Sequence, residues 1–290
     1  MKKLGIICKI GKPEPVAIVR ELLPWLRKEG VQVLLDDESA AALGVEGYSR
    51  LRIPDLAEAI IVLGGDGTML SVARVACKKA VPILGVNLGG LGFITEIKKG
   101  DLYSALKGVL SGSCLFEDRL MLSARVLRKN REIAQYTALN DVVINKGALA
   151  RIVDLETSFN GAYVNRFRAD GLIVSTPTGS TAYCLSAGGP ILYPTMDNVV
   201  LIPICPHTLT NRPIVLPDNI TLEMILQSPK EDVVLTVDGQ VGLPLEKYDV
   251  VVVEKSPYKT RIILPAQRDY FAMLRTKLGW GERTPAVSGG

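Results

Sequence analysis

The stretch Ala59-Ile60-Ile61-Val62-Leu63-Gly64-Gly65-Asp66-Gly67-Thr68 restricts the fold more than any other part of the chain. Residues 59–63 form a continuous apolar run closed by glycines, and residues 68–79 follow with a helical pattern, so the segment reads as a strand buried on both faces that turns directly into a helix. Three glycines around one carboxylate let backbone N–H groups approach phosphate oxygens closely, and a helix N-terminus adds partial positive charge at the same spot. Gly64, Gly65, Gly67 and Thr68 are therefore candidate phosphate-binding residues. The same residues also suit a plain strand-to-helix turn in which Asp66 or Thr68 caps the helix. The turn matches neither a Gly-x4-Gly-Lys-Ser/Thr loop nor a Gly-x-Gly-x-x-Gly fingerprint.

Its surroundings extend the pattern. Residues 4–8, 31–35 and 82–86 read as further strands and residues 15–28 as a helix, an alternation that argues for a parallel sheet. Ligands of such sheets bind at the C-terminal ends of the strands. A second glycine turn, Asn87-Leu88-Gly89-Gly90-Leu91-Gly92-Phe93, follows the next strand and should share that edge, forming a cleft with the first. Taken alone it also suits a glycine-permitted tight turn. After a short helix at 102–110 the texture becomes β-rich, with strands expected at 120–127, 136–144, 151–159, 199–204, 233–237 and 250–253, and a turn at Asp238-Gly239. Near the end, Tyr270, Phe271, Leu274 and Leu278 are expected on one face of a helix, and the tail from Gly281 is expected to fray. The expected architecture is an α/β nucleotide-phosphate-binding domain with a parallel sheet at residues 1–113, onto which a C-terminal helix within 266–290 packs back, and a mostly β domain at 114–265.

Composition narrows the function classes. A chain of 290 residues is long for a single core, and its net charge of +4 is too small for the electrostatic footprint of a nucleic-acid binder. Five cysteines without a C-x-x-C pair suggest reduced thiols. No apolar run approaches the ~18 residues that span a bilayer, and Lys9 interrupts the N-terminal apolar stretch too early for a secretory leader, so a cytoplasmic protein without membrane contact is expected. His207 is the only histidine. Any Ser-His or Cys-His machinery would run through it, yet it lies in a Pro-bounded segment with no adjacent acid, so a structural or subunit-contact role is expected.

A third element, residues 170–183, is a strand-like run entering a hydroxyl-rich loop, Ser175-Thr176-Pro177-Thr178-Gly179-Ser180-Thr181. Its short donors suit sugar hydroxyls and phosphates, and Asp170 could accept from a ribose or an amide; such clusters also occur as solvated loops. In order and spacing, residues 64–68, 87–93, Asn140-Asp141 and 170–183 resemble the signature segments of the NAD kinase family. The resemblance also covers Pro206-His207-Thr208-Leu209, Asn211-Arg212-Pro213 and Asp238-Gly239-Gln240, and so runs from about residue 60 to 240. It implies a phosphofructokinase- and diacylglycerol-kinase-like α/β domain, a β domain, a site between them, and a homodimer or homotetramer. It also implies transfer of the γ-phosphoryl of ATP, or of polyphosphate, to the 2′-hydroxyl of the adenosine ribose of NAD. Asp66 would accept the proton, with Mg²⁺ or another divalent metal carried by ATP rather than held in a fixed protein site. By the same resemblance Asp66, Gly67, Asn140, Asp141, Arg151, Arg168, Asp170 and Gln240 would contact NAD, and Thr181, Ala182, Tyr183, Cys184, Leu185 and Ser186 would line its pocket. Many family members have Asn-Glu where this chain has Asn140-Asp141, a carboxylate shorter by one methylene. Two alternatives are a lipid kinase sharing Gly-Gly-Asp-Gly, for which no basic amphipathic helix stands out, and a non-catalytic NAD(P) sensor, which would have no need of Asp66.

Overall fold

The computed structural model describes residues 1–90, 92–147, 152–228, 232–265 and 267–280; Arg151 and the segment from Gly281 onward lie outside the described residues. The first part of the chain runs β1 (Lys3–Cys8), α1 (Pro13–Lys28), β2 (Gln32–Leu35), α2 (Asp37–Leu43), α3 (Ile53–Leu56), β3 (Ala59–Gly64), α4 (Asp66–Ala76), β4 (Ile83–Asn87), β5 (Ile97–Lys98) and α5 (Leu102–Ser111). Then come β6 (Leu115–Arg128), β7 (Arg131–Ala138), β8 (Asp141–Lys146), β9 (Val153–Phe159), β10 (Ala162–Ala169), β11 (Gly171–Ser175), α6 (Tyr183–Ser186) and β12 (Asn198–Ile204). The last elements are β13 (Ile214–Pro217), β14 (Thr221–Leu226), β15 (Val233–Val237), β16 (Val241–Leu245), β17 (Val250–Leu264) and α7 (Tyr270–Leu278).

Strands β2, β1, β3 and β4 pair in parallel, in that order. Period-two alternation sorts their side chains between two cores. Leu4, Ile6, Ile61 and Leu63 join Ile18, Leu22 and Leu26 of α1 and Leu106 of α5, whereas Ile7, Ile60 and Val62 join Ile53 of α3 and Met69 and Ala73 of α4. Helix α1 starts on a proline, carries Glu14 in its first turn and Arg27 and Lys28 in its last, and so matches its own dipole.

Strand β17 meets β4 in parallel at Ile262↔Ile83 and continues the sheet into antiparallel β14, β9 and β10, while β6 runs alongside it. A second, antiparallel sheet has the order β13-β12-β11-β8-β15-β16 among the described residues. Leu122, Ala124, Val251 and Val253 from the larger sheet and Val142, Ile144, Leu172, Val174 and Leu235 from the smaller one fill the core between them. The expected fold class, an α/β portion followed by a mostly β portion, is what the chain adopts. Among the described residues no helix is long and apolar enough to cross a membrane.

Three local expectations change. Residues 136–144, read as one strand, are the end of β7 and the start of β8, because the chain crosses between sheets at Leu139-Asn140. Strand β6 begins at Leu115 rather than Leu120, its first half carrying Glu117 and Arg119, which the fold largely buries, beside exposed Asp118. In α7 the buried face is Tyr270, Met273 and Leu274, whereas Phe271 is 59% exposed; at about 100° per residue the three buried positions span an arc of about 100°, and Phe271 falls about 60° outside it. That buried face packs against Phe93 and Ile191.

Candidate active site

Because β3 and β4 are parallel neighbours with Gly64 opposite Asn87, both glycine turns leave the sheet at the same edge. Gly65 precedes α4 in extended conformation, and Asp66 opens the helix. The Asp66 carboxylate reaches across to the second turn, where Oδ2 accepts from Phe93 N at 2.8 Å. Its Oδ1 accepts from Ile94 N at 3.2 Å, Thr95 N at 3.0 Å and Thr95 Oγ1 at 2.8 Å. Gly92 is required by this contact, since a Cβ there would fall on Asp66 Oδ1. Gly65 and Gly90 differ: a Cβ on either would meet nothing within 4 Å, so the protein itself gives no reason for glycine, and their backbones stay open to an approaching ligand.

Three cavities sharing Lys9 surround this edge. One of about 380 Å³ is lined by Arg50, Gly65, Gly67, Thr68, Ser71 and Gln240. Another of about 450 Å³ is lined by Lys12, Gly64, Gly65, Asn87, Gly89 and Gly90, and a third of about 490 Å³ by Lys12, Arg20, Glu38 and Ser39. Arg50 is fixed by fully buried Asp36, to which it donates from Nε at 2.9 Å and Nη2 at 2.5 Å, and by the Cys8 carbonyl at 2.7 Å. The cations and open N–H groups of this lining have the chemistry that suits a polyanion.

On the opposite side, Asp238 and Gly239 both have positive φ, 51° and 61°, as the central pair of a turn closed by Gln240 N donating to Val237 O at 3.0 Å, within the three-residue connection between β15 and β16. Asp238 Oδ1 accepts from Asn140 N at 2.7 Å and Asp141 N at 3.3 Å, and Oδ2 from Leu139 N at 3.2 Å, which binds the crossover between the sheets. Arg74 of α4 donates to Asp238 Oδ2 at 3.1 Å and to Gln240 Oε1 at 2.7 Å, while Gln240 Nε2 donates to the Gly67 carbonyl at 2.6 Å. Helix α4 is thereby tied to both Asn140-Asp141 and Gln240. Asp141 is only 4% exposed, and burial, reinforced by nearby Asp238, pushes its carboxyl up to about 7. The buried Asn140 Oδ1 has no hydrogen-bond partner among the described residues.

The hydroxyl-rich loop packs against the same crossover. Thr176 N donates to Asn140 O at 2.9 Å and Thr176 Oγ1 to Leu139 O at 2.6 Å, and Gly179 is needed because a Cβ would fall on Asn140 O. Thr181 Oγ1 donates to Thr178 O at 3.2 Å. Cys184 is fully buried, and burial raises its thiol to about 11, which keeps it a neutral thiol between exposed Tyr183 and partly buried Leu185.

Residues 4–114 match the ATP-NAD kinase N-terminal domain family and residues 139–264 the ATP-NAD kinase C-terminal domain family. The NAD kinase of Syntrophotalea carbinolica is 50% identical over 285 residues, covering 98% of this chain and 100% of the relative. This chain belongs to the NAD kinase family. The NAD kinase of Geobacter sulfurreducens is 49% identical over 284 residues, again covering 98% of this chain and 100% of the relative. Two solved structures share the fold at 24% identity. Yeast NADH kinase complexed with NADH has a TM-score of 0.92 over 99% of this chain and 90% of that one. An Archaeoglobus fulgidus NAD kinase in complex with ATP has 0.73 over 96% and 97%. The lipid-kinase and sensor alternatives draw no support from these findings.

Of the residues that the NAD kinase resemblance singled out, the fold gathers Gly67, Asn140, Asp141 and Gln240 around one hydrogen-bonded junction, and Asp66, bonded to residues 93–95 instead, directly precedes Gly67. Thr181, Ala182, Tyr183, Cys184, Leu185 and Ser186 follow the Ser175 end of β11, the end that pairs with Asp141. Arg168 and Asp170 do not join them. They precede Gly171, the other end of β11, about 13 Å away at ~3.3 Å per residue. There Asp170 pairs with Lys146 at 2.8 Å, and Arg168 is exposed with its carbonyl accepting from His207 N at 3.0 Å. Sequence reading missed Arg74, the carboxylate of Asp238, Lys9, Lys12 and Arg50. Asp238 carried a signal as a turn residue, and Lys9 and Lys12 could have been found as cations directly after the first strand.

Proposed function

We propose that this NAD kinase transfers the γ-phosphoryl group of ATP to the 2′-hydroxyl of the adenosine ribose of NAD, giving NADP, with Asp66 accepting the hydroxyl proton. The observation that carries this reading is the uneven loading of the Asp66 carboxylate. Oδ1 accepts from three donors whereas Oδ2 accepts from one, so Oδ2 keeps a free lone pair at the mouth between the two glycine turns. A carboxylate is too weak a base to ionise an alcohol beforehand. The proton therefore moves late, as the ribose oxygen bonds to phosphorus and the bond to the ADP leaving group breaks, and positioning does most of the work.

The donor's phosphates are assigned to Lys9, Lys12, Arg50, the N–H groups from Gly65 to Gly67 and the Thr68 hydroxyl, at the adjoining cavities. Among the described residues no three His, Cys, Asp or Glu side chains cluster to hold a metal ion, and such a lining fits a divalent cation brought in on the donor's phosphates. That cation, Mg²⁺ or another, would supply charge neutralisation at the transferring group while the same residues hold the phosphates. Asn140, Asp141, Gln240 and the residues from Thr181 to Ser186 are assigned to NAD. The unpartnered Asn140 Oδ1 and the desolvated Asp141 carboxyl support this, since both gain from hydroxyl or amide donors on a ligand. Arg168 and Asp170 then touch the distal end of an extended dinucleotide. In this reading residues 1–113, with the C-terminal helix, handle the donor and residues 114–265 the acceptor, in a cytoplasmic homodimer or homotetramer.

The test is NADP formation from NAD, ATP and Mg²⁺, read through an NADP-specific dehydrogenase, with polyphosphate offered in place of ATP in a parallel arm. Asp66→Asn should lower kcat by about 10²–10⁴-fold while NAD affinity by calorimetry stays within about threefold. A near-normal kcat in that variant would remove Asp66 from the proton-transfer step.

A further inference from the structure

Immediately beyond the loop that holds Asp66, four charged side chains are buried together: Glu96, Glu117, Arg119 and Arg268. Arg268 donates from Nε to Glu96 Oε2 at 3.0 Å and from Nη1 to Glu117 Oε2 at 2.5 Å. Arg119 places Nε 2.5 Å from Glu117 Oε1 and Nη2 4.0 Å from Glu96 Oε1. Its Nη1 donates to Thr178 Oγ1 at 3.3 Å. Arg119 is 1% exposed, and burial lowers its basicity against the two glutamates. Two cations and two anions cancel, yet burying such a set is costly, and an apolar cluster of the same volume would serve stability as well or better. What the charges provide is geometry: the Arg268 guanidinium bridges Glu96 and Glu117, and Arg119, whose Nε and Nη2 face the glutamates without hydrogen bonds, reaches Thr178 through Nη1, so segments far apart in the chain are joined.

Those segments are the ones the proposed chemistry needs. Glu96 directly follows Thr95, whose N–H and hydroxyl both bind Asp66 Oδ1. Thr178 begins the turn leading to Thr181. Arg268 stands just before α7, whose N-cap is Asp269, and its guanidinium lies 5.5 Å from the centre of the Tyr270 ring. The buried face of α7 packs on Phe93, so Arg268 enters the cluster from a segment anchored beside the Asp66 loop.

We propose that Arg119 and Arg268 are positioning residues for phosphoryl transfer, fixing the 93–95 backbone and hence the Asp66 carboxylate through Glu96, and setting the hydroxyl-rich loop through Thr178. The inference rests on the reading of Asp66 as proton acceptor. One consequence is that the C-terminal segment, remote in sequence from every family signature, is needed for turnover and not only for stability.

The test compares full-length Glu96→Gln, Arg268→Gln, Arg268→Lys and Met273→Ala with the parent and with Asp66→Asn, measuring kcat, KM for NAD and for ATP, and Tm. Glu96→Gln and Arg268→Gln should lose kcat ten- to hundredfold with KM for NAD within threefold of the parent. Arg268→Lys, which keeps a cation against Glu96, should recover most of the loss. Met273→Ala loosens α7 without touching the charges, so it should lower Tm while kcat, measured well below the melting range, stays within twofold. Parental kcat in Glu96→Gln and Arg268→Gln, alongside an inactive Asp66→Asn, overturns the positioning role alone. So does a loss of kcat that tracks Tm across all variants, Met273→Ala included. Activity retained by Asp66→Asn overturns the base reading and this inference with it. Should Arg268→Gln fail to fold, the near-isosteric Glu96→Gln carries the test by itself.

Discussion

The two sides of the cleft each present an aspartate, and the fold treats them in opposite ways. On the parallel-sheet side, Asp66 is partly buried and receives four hydrogen bonds from residues 93–95. On the antiparallel side, Asp141 sits at the start of β8, almost fully buried, and that burial, reinforced by a second carboxylate nearby, raises its pKa to about 7. In the proposed reading, one carboxylate is given its partners by the protein in advance and the other gains them from a ligand. A group that must meet a moving proton needs a fixed position, and preformed N–H donors supply it. A group that recognises a substrate gains selectivity by being poorly satisfied without it.

The largest effect expected from breaking this asymmetry is the Asp66→Asn loss described above. Next is Gly92→Ala. Its methyl would fall on Asp66 Oδ1 and Thr95 Oγ1, so either the turn or the carboxylate must move. A displacement of about 1 Å at a reacting group can cost 10²-fold, and kcat should fall by about 10–10²-fold with little change in KM for ATP. Unchanged steady-state kinetics would mean that the contact holds the turn but not the chemistry.

Asp141→Asn sharpens the other half of the comparison. Its folded pKa, about 7, lies above the ordinary carboxylate value of 3.8. Below about pH 4 the group is protonated in both states. As pH rises from about 4 to 7 the unfolded chain releases a proton that the folded chain keeps, so the stability of the ligand-free protein falls across that window and stays lower above it. The asparagine variant lacks this loss. Its ligand-free Tm should exceed the parent's at pH 8, by an amount corresponding to at most a few kcal/mol at ~1.4 kcal/mol per pKa unit, and the gap should close near pH 4. NAD affinity should drop about tenfold, as for a lost charge-assisted hydrogen bond. Parallel Tm profiles for parent and variant between pH 4 and 8 would show that Asp141 is not desolvated in solution.

How much of this could be read from the sequence followed the range of the forces involved. The β3-turn-α4 unit and the Asp238-Gly239 turn were legible because each is set by a few consecutive residues: a doubly buried strand, glycines, and a pair able to take positive φ. That the two glycine turns share an edge followed from parallel topology alone. Arg74 was invisible, being an ordinary polar position on α4 whose partners lie 164 and 166 residues away. The Asp238 carboxylate was hidden for a different reason: its place in the turn explained it completely, and nothing local hinted that it also binds three N–H groups of the crossover. Glu117 and Arg119 shortened the expected strand, since charges normally mark a surface and only the folded chain brings Arg268 and Glu96 to neutralise them. Asp170 fits the NAD kinase pattern in sequence, yet it lies across the sheet from Asp141, because β11 runs the length between them.

The smallest effect separates a glycine kept for the fold from one kept for a ligand. Gly92 has an internal reason in Asp66; Gly65 has none, with φ −128° and ψ −170° open to any residue and nothing within 4 Å of a built Cβ. Gly65→Ala should therefore leave Tm within about 1–2 °C of the parent, or raise it slightly through the stiffer unfolded chain. If donor phosphates pack against that backbone, the methyl stands in their way and KM for ATP should rise about three- to tenfold, with KM for NAD unchanged. The paired readout discriminates because a purely structural glycine would move Tm and neither KM, whereas a rise in KM for NAD alone would exchange the two faces of the cleft and assign the glycine turn to the acceptor.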